Sequence, residues 1–460
     1  MKKLSGTSAG GIYFDGRDDY TLQKTALGST SLIKEGHYTI RAHPGDVYLG
    51  FAVPKSGTGE NIATAVIDYL ESVGVSTADT EILGADGTTV NTGHLNGSMR
   101  NMELRLGRPL QRAVCTLHQA ELPLRKMFEH LDGPTTGPRS YSGPIGKLLK
   151  SDQLHLTPLN HHFTPLHLAD IPPLSPEVKE KMSTDAVLLH DLSQYVNTGI
   201  PGSDNLAQRK IGPLNHSRWL THATRIERLL LSTNPDEPFY SNLVLLATYI
   251  TAIYFTGHME VKYKPSITDS PAHFYNQIRR QAQYFSGDLL KVLQKNLQTN
   301  SSSAHPDKIL VGMVACDDPV RREGAVMMIL KIRDLPTIGG IREYILPKLF
   351  FKSSSFKSMI KFHNETGRRP TYTAWNGKKL PVTEPPLLMK KTRDELLSYV
   401  DTPFSSDYPS HTQRVETGVK LTTAGAARVV GQKRQVGECL MVEASRKKSP
   451  GRVTRKRFNI

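Results

Sequence analysis

Cysteine is nearly absent from this chain: three residues in 460, at Cys115, Cys316 and Cys439. So few, so widely spaced, exclude a disulfide framework and a CxxC-type zinc module, and they fit a reducing compartment. Tryptophan is rarer still, with two residues. No apolar run is long enough to cross a bilayer. The longest, Leu243 to Phe255, falls short of the roughly 18 residues a span needs and is interrupted by Thr248 and Thr251. It reads as a buried core helix. The stretch from Met1 to Gly11 is small and polar and lacks the apolar segment of a secretory signal. These absences predict a soluble, intracellular protein with no membrane partner.

What the chain has in excess is positive charge. Lys and Arg number 58 against 43 Asp and Glu, a net charge of +15, with a sequence pI near 9.5. A surplus of this size favours a polyanionic partner, nucleic acid first. The length allows two or three domains and at least one sizeable core.

The first part reads as α/β. Gly11-Ile12-Tyr13-Phe14 is a short apolar strand ending at Asp15. His37 to His43 and Val47 to Val53 are strand-like, and Pro44-Gly45-Asp46 between them is turn chemistry, so they form a hairpin. Ile62, Val66 and Leu70 recur at helical spacing, with Gly74 placed to stop the helix. Glu81 to Ala85 is a strand that ends at Asp86, Met99 to Leu106 a short helix, and Leu110 to Thr116 a strand. That strand runs into an amphipathic helix bearing Leu117, Leu124, Phe128 and Leu131, which Pro123 either kinks or begins. This order resembles that of RNase H-like sheets: three antiparallel strands, then two parallel to the first.

Gly133 to Gly146, rich in Gly, Pro and Ser, reads as a linker or exposed loop. From Glu177 to about Arg333 the pattern is helical: Val178 to Val196, Arg218 to Leu231, Leu243 to Val261, His273 to Leu297 and Val320 to Ile332. Arg393 to Val400 and Thr412 to Val430 are further expected helices. The tail carries seven basic residues from Arg446 to Arg457; it is expected to be disordered and suits nuclear import or phosphate contact.

Asp15 and Asp86 each close an apolar strand. In an RNase H-like sheet the first and fourth strands are neighbours, so the two carboxylates converge at one sheet edge. A convergent pair of hard oxygen ligands is what Mg²⁺ or Mn²⁺ needs to orient in-line attack on a phosphodiester. The competing reading makes both aspartates caps of Asp-Gly turns, at Asp15-Gly16 and Asp86-Gly87. Asp18 and Asp19 compete with Asp15 for the metal-facing position. His155, His161, His162 and His167 lie in a Pro-rich stretch with irregular spacing and read as a solvated loop.

Several motifs resemble those of hAT-superfamily DNA transposases. Leu83 to Gly93 is similar to the family's second-aspartate motif, and Cys115-Thr116-Leu117-His118 to its C-x-x-H motif. Arg218-Trp219 followed by Arg225 resembles its R-W motif, and His411 to Glu416 its C-terminal block. The resemblance runs discontinuously from about Tyr13 to about Ala427. It implies an RNase H-like α/β core interrupted by a long all-α insertion, and a DNA nuclease and strand transferase with Asp15, Asp86 and Glu416 as the catalytic, metal-binding triad. Glu260 is the rival third carboxylate, ranked second because it falls within the insertion. The resemblance makes Arg218, Trp219 and Arg225 DNA-binding, with Trp219 holding a flipped base, against a core-anchor reading of the same tryptophan. It makes Cys115 and His118 local structural residues, and implies self-association through the C-terminal region.

The domain organisation expected is 1–132 for the first part of the core, 133–385 for the linker and helical insertion, 386–443 for the C-terminal part of the core and dimerisation region, and 444–460 for the basic tail. Full-length family members carry an N-terminal zinc finger, and here the first strand begins within a dozen residues of Met1, so the expectation is a divergent, transposon-derived chain without that finger. Thr417 stands where the family usually has Arg. Both features favour the alternative, a transposase-derived binding or dimerisation protein without catalysis. Phe14-Asp15-Gly16 also resembles the first motif of haloacid dehalogenase-like phosphatases, but Arg17 occupies the place of the second acid that chemistry requires.

Overall fold

A computed structural model of the protein describes residues 9–24, 30–80, 82–93, 96–107, 110–137, 140–151, 154, 157–159, 163–168, 170–203, 205–212, 214, 219–263, 270–300, 314, 318–333, 337–338, 341–342, 371–373, 379–381, 392–398, 411–412 and 415. Two compact units emerge. One comprises Met1–Cys115, Met313–Phe350 and Arg369–Ile460, the other Thr116–Gly312 and Phe351–Arg368.

The first unit is built on a five-stranded mixed sheet in the order β3-β2-β1-β4-β5. Strands β1 (Gly11–Lys24), β2 (Thr30–His43) and β3 (Val47–Ala52) are antiparallel neighbours. Strands β4 (Ile82–Ala85) and β5 (Gln111–Val114) run parallel to β1. The expected strand order and directions hold, but the expected length of the first strand does not. β1 continues nine residues past Asp15, paired without a break from Gly11↔His43 to Lys24↔Thr30. The turn reading of Asp15-Gly16 therefore falls away: Asp15 lies within the strand, opposite Thr39. Gly16 and Gly36 interrupt the alternation by which a long strand is recognised in sequence, so the ribbon's outer half leaves little trace there. The Pro44-Gly45-Asp46 turn is as expected; its Asp46 carboxylate accepts from Arg41 Nε at 2.6 Å.

One face of this sheet is covered by helix α1 (Gly59–Ser72). Thr58 caps its start, and the expected Ile62, Val66 and Leu70 stripe is buried against Ile12, Phe14, Ile40, Ala42 and Leu49. Each such aliphatic side chain contributes about 1.5–3 kcal/mol on burial. Even-numbered residues of β1 face this core, so Tyr13 and Asp15 face the other side of the sheet. Short helices α2 (Thr89–Thr92) and α3 (Ser98–Leu106) link β4 to β5.

The second unit is mostly helical. Helix α4 (Thr116–Asp132) starts ahead of Pro123, which lies within it. The stretch read as a linker is ordered instead: β6 (Thr135–Gly137) pairs with β7 (Ser140–Tyr141), and α5 (Pro144–Leu149) follows. Asp132 fixes this corner, its carboxylate accepting from the backbone amides of Ile145 at 2.8 Å and Gly146 at 2.7 Å. Next come α6 (Pro176–Lys181), α7 (Thr184–Thr198), α8 (Leu220–Leu230) and α9 (Tyr240–Tyr249). A π-helical segment, Ile250–Phe255, joins α9 to α10 (Thr256–Tyr263). Then follow α11 (Ser270–Tyr284) and α12 (Gly287–Asn300). Three helices expected as single are thus divided. Ser183 caps a new start at α7, the π-helical segment splits the run around Leu243 to Val261, and Ser286-Gly287 separates α11 from α12. Leu124, Phe128, Leu189, Leu192, Ile226, Leu230 and Leu243 form the centre of the helical core.

Also in the first unit are α13 (Pro319–Arg333) and the short α14 (Arg393–Leu397), which opens with a Thr392–Glu395 capping box. The helix expected from Thr412 to Val430 lies outside the described residues except at Thr412 and Val415, as do the basic tail and three of the clustered histidines, His155, His161 and His162. No described helix is long and apolar enough to cross a membrane.

Candidate functional site

The β1–β4 pairing places Gly11 beside Ile82, Ile12 beside Leu83 and Tyr13 beside Gly84, a constant offset of 71 residues. Asp86 follows Asp15 by the same 71 residues. Two steps past the last paired residues, Asp15 within β1 and Asp86, one residue past the end of β4, keep that offset, and Asp15 faces away from α1. Tyr13 prepares this edge. Its ring is fully buried, packs edge-on against His43 at 4.5 Å between centroids, and lies over Gly84, where a Cβ would stand 2.1 Å from Tyr13 Cδ1. Only glycine lets the two strands share that face.

Asp86 also has a local duty. Its Oδ1 accepts from the Thr88 amide at 3.0 Å, the Thr88 hydroxyl at 2.7 Å and Asn91 Nδ2 at 2.7 Å. Asn91 Oδ1 in turn accepts from Ser98 Oγ at 2.8 Å. The capping role and the strand-end role therefore coexist: Oδ1 holds the turn into α2, while Oδ2 accepts no hydrogen bond among the described residues. A carboxylate bound through one oxygen and open at the other keeps its direction fixed, as a metal ligand requires.

Tyr38, on β2, pairs with Gly16 and so shares the α1-side face of Ile40, where it packs against that core. Burial raises the pKa of its phenol, and the negative charges of Asp86, Asp15 and Asp18 raise it further. Asp18 is exposed, paired with Lys34 at 2.6 Å, and by strand alternation faces the α1 side. The side chain of Asp19 lies outside the described residues. Asp15, by the same alternation, lies on the face away from α1.

The other expected site residues are placed as follows. Glu416 lies outside the described residues; its neighbour Val415 is buried. Among the described residues no group of three or more His, Cys, Asp and Glu side chains is arranged to hold a metal ion. Glu260, in the helical unit, is tied to His273 Nδ1 at 3.2 Å and to Arg280. Burial pushes its pKa up, but the hydrogen bonds and charges of His273 and Arg280 outweigh this and bring it to about 2. Cys115 is a buried free thiol whose amide donates to Ala85 O at 2.9 Å, extending the β4–β5 pairing by one residue, and His118 is half-buried in the first turn of α4.

Of the residues expected to bind DNA, Trp219 and Arg225 are described. Arg218 lies outside the described residues. Trp219 is half-buried, stacked on His222 at 4.4 Å and edge-on to Phe128 at 5.8 Å. This packing is that of the core-anchor reading. Arg225 is 3% exposed and donates to the carbonyls of Gly212 at 3.0 Å, Leu149 at 2.6 Å and Ser151 at 3.0 Å. Its guanidinium ties the 149–151 stretch and Gly212 to α8 inside the helical unit.

Two groups escaped the sequence reading. Tyr38 is one. The other is Glu227, fully buried on α8, whose carboxylate accepts from Ser193 Oγ at 2.8 Å and Thr251 Oγ1 at 2.8 Å; burial, opposed by these two hydroxyls, raises its pKa to about 8. Thr251 sits in the π-helical segment and Glu227 on α8, so no helical spacing links the two. No protein-family model matches this chain, and no curated protein matches it either.

Proposed function

We propose that the chain is a transposase-like nuclease and strand transferase of the hAT kind, acting on DNA, with an RNase H-like sheet as its core and the helical unit as an insertion. One observation supports this reading: β1 and β4 are parallel neighbours, and Asp15 in β1 and Asp86, one residue past β4, keep the 71-residue offset of the paired residues. The donor set suits Mg²⁺ or Mn²⁺, which favour carboxylate oxygens and, when bound, neutralise phosphodiester charge and activate water for in-line attack. Asp86 is oriented for this by its cap on α2, and Glu416 is the third ligand that the reading assigns. The net charge of +15 supports a polyanionic substrate. A nuclear location and self-association belong to the same proposal.

A second reading is a transposase-derived binding or dimerisation protein without catalysis. It is favoured by the internal placement of Trp219 and Arg225 and by the structural use of Asp86 Oδ1. The two are separated by cleavage of a labelled DNA hairpin in Mg²⁺ or Mn²⁺, comparing the native chain with Asp86→Asn. The amide retains an oxygen to accept from Thr88 and Asn91, so the turn survives while the metal-binding charge is removed. Cleavage by the native chain that disappears in the variant supports the nuclease. Cleavage of equal rate in both removes the carboxylate pair from the chemistry. Binding without cleavage by either selects the second reading.

A further inference from the structure

Two kinds of donor hold the carboxylate of Asp86. Thr88 is local: its amide and hydroxyl belong to the same exposed turn as the aspartate and move with it. Asn91 reaches further. Its Nδ2 donates to Asp86 Oδ1 at 2.7 Å, and its own Oδ1 accepts from Ser98 Oγ at 2.8 Å. Both residues are buried, Asn91 at 6% exposure and Ser98 at 0%. An ionised carboxylate only accepts, so Asn91 turns Nδ2 to it and leaves Oδ1 for a donor, which Ser98 supplies.

Ser98 is fixed in its turn. It opens α3, and the backbone just before it is pressed against the first residue of α1. A Cβ on Gly59 would stand 2.2 Å from Asn96 O and 2.7 Å from Ser98 N. Gly97 approaches the preceding turn as closely: a Cβ there would stand 2.5 Å from Gly93 O and 2.8 Å from Asn91 O. Through Asn91 and Ser98 the aspartate is thus tied to the packed starts of α1 and α3.

We propose that Asn91 and Ser98 are positioning residues for a divalent cation: acting through Oδ1, they fix the direction in which Asp86 offers Oδ2. The proposal rests on the reading of Asp86 as a metal ligand and assigns that ligand its support. Mg²⁺ demands near-octahedral geometry, whereas Ca²⁺ accepts looser shells of oxygen. A carboxylate released to swing therefore loses more for Mg²⁺ than for Ca²⁺.

The test is metal binding by the full chain without DNA, so that neither turnover nor substrate enters. Free Mn²⁺ is followed by electron paramagnetic resonance as protein is titrated, and Mg²⁺ or Ca²⁺ is then added to displace it. Each variant is measured at a temperature where circular dichroism shows it folded. Asp86→Asn is expected to lose the site. Ser98→Ala removes one buried oxygen and leaves Asp86 and Thr88 in place; it is expected to weaken Mg²⁺ about tenfold or more, and Ca²⁺ less. Asn91→Ala should do the same, and it carries the test if Ser98→Ala does not fold. A merely structural pair would lower the melting temperature while the folded molecules keep the native affinities, which overturns the proposal and leaves the metal reading standing. Equal losses for the two ions overturn it likewise. Mn²⁺ binding that is absent from the native chain, or that survives Asp86→Asn, overturns the proposal and the metal reading together.

Discussion

Asp15, within β1, and Asp86, one residue past the end of β4, are separated by the same 71 residues as the paired Gly11 and Ile82. Groups that act as one unit lose function together, so their losses do not multiply. Asp15→Asn, Asp86→Asn and the double variant should each reduce DNA cleavage by about a hundredfold or more, to a similar residual rate. A double variant whose loss equals the product of the two single losses would mean that the aspartates act separately.

Tyr13 and Gly84 set the approach of the same two strands. A methyl group at Gly84 would fall inside the Tyr13 ring, which is fully buried and cannot swing out. Gly84→Ala should cost about 1–3 kcal/mol, the range for overpacking a filled core. Denaturant midpoints check this. Adding Tyr13→Leu should recover part of the loss, because the clash then has less ring to meet. No recovery would place the strain elsewhere.

Arg225 donates to three carbonyls, and Trp219 stacks on His222 in the same unit. Arg225→Ala strands those carbonyls without a donor, at about 1–3 kcal/mol for each buried group left unmade. Trp219→Ala removes an aromatic anchor and should cost roughly 2–4 kcal/mol, somewhat below a fully buried site. Both variants should melt earlier in the absence of DNA. Melting like the native chain combined with lost DNA binding would restore the direct DNA-contact role to these residues.

The strand order was legible because each element carries its own signal. Alternation marks the Val47 strand, four-residue spacing marks α1, and Pro44-Gly45-Asp46 marks the turn. The 71-residue offset of Asp15 and Asp86 is also readable in the sequence, but only the pairing of β1 with β4 shows that paired residues share it. The rest depended on tertiary contacts. Asp15-Gly16 reads as a turn until Thr39 and Tyr38 pair with it. Gly133 to Gly146 reads as a linker until Asp132 caps Ile145 and Gly146. An arginine that serves backbone carbonyls and one that serves phosphates look alike in sequence, since both roles use the same donors.

Glu227 gives the helical unit a pH-dependent stability. Its pKa rises from an ordinary 4.5 to about 8 in the folded chain, chiefly through burial, with Ser193 and Thr251 opposing. The folded state therefore keeps a proton that the unfolded chain has released. Below about pH 4.5 both states are protonated and the group has no effect. As pH rises from there towards 8 the unfolded chain ionises while the folded chain does not, and stability falls, by a few kcal/mol in all. Glu227→Gln is neutral at every pH and similar in shape. Its melting temperature should match that of the native chain near pH 4.5 and exceed it increasingly up to about pH 8. Parallel melting curves across that range would mean that the carboxyl is ionised inside the helical core and has a cationic partner there.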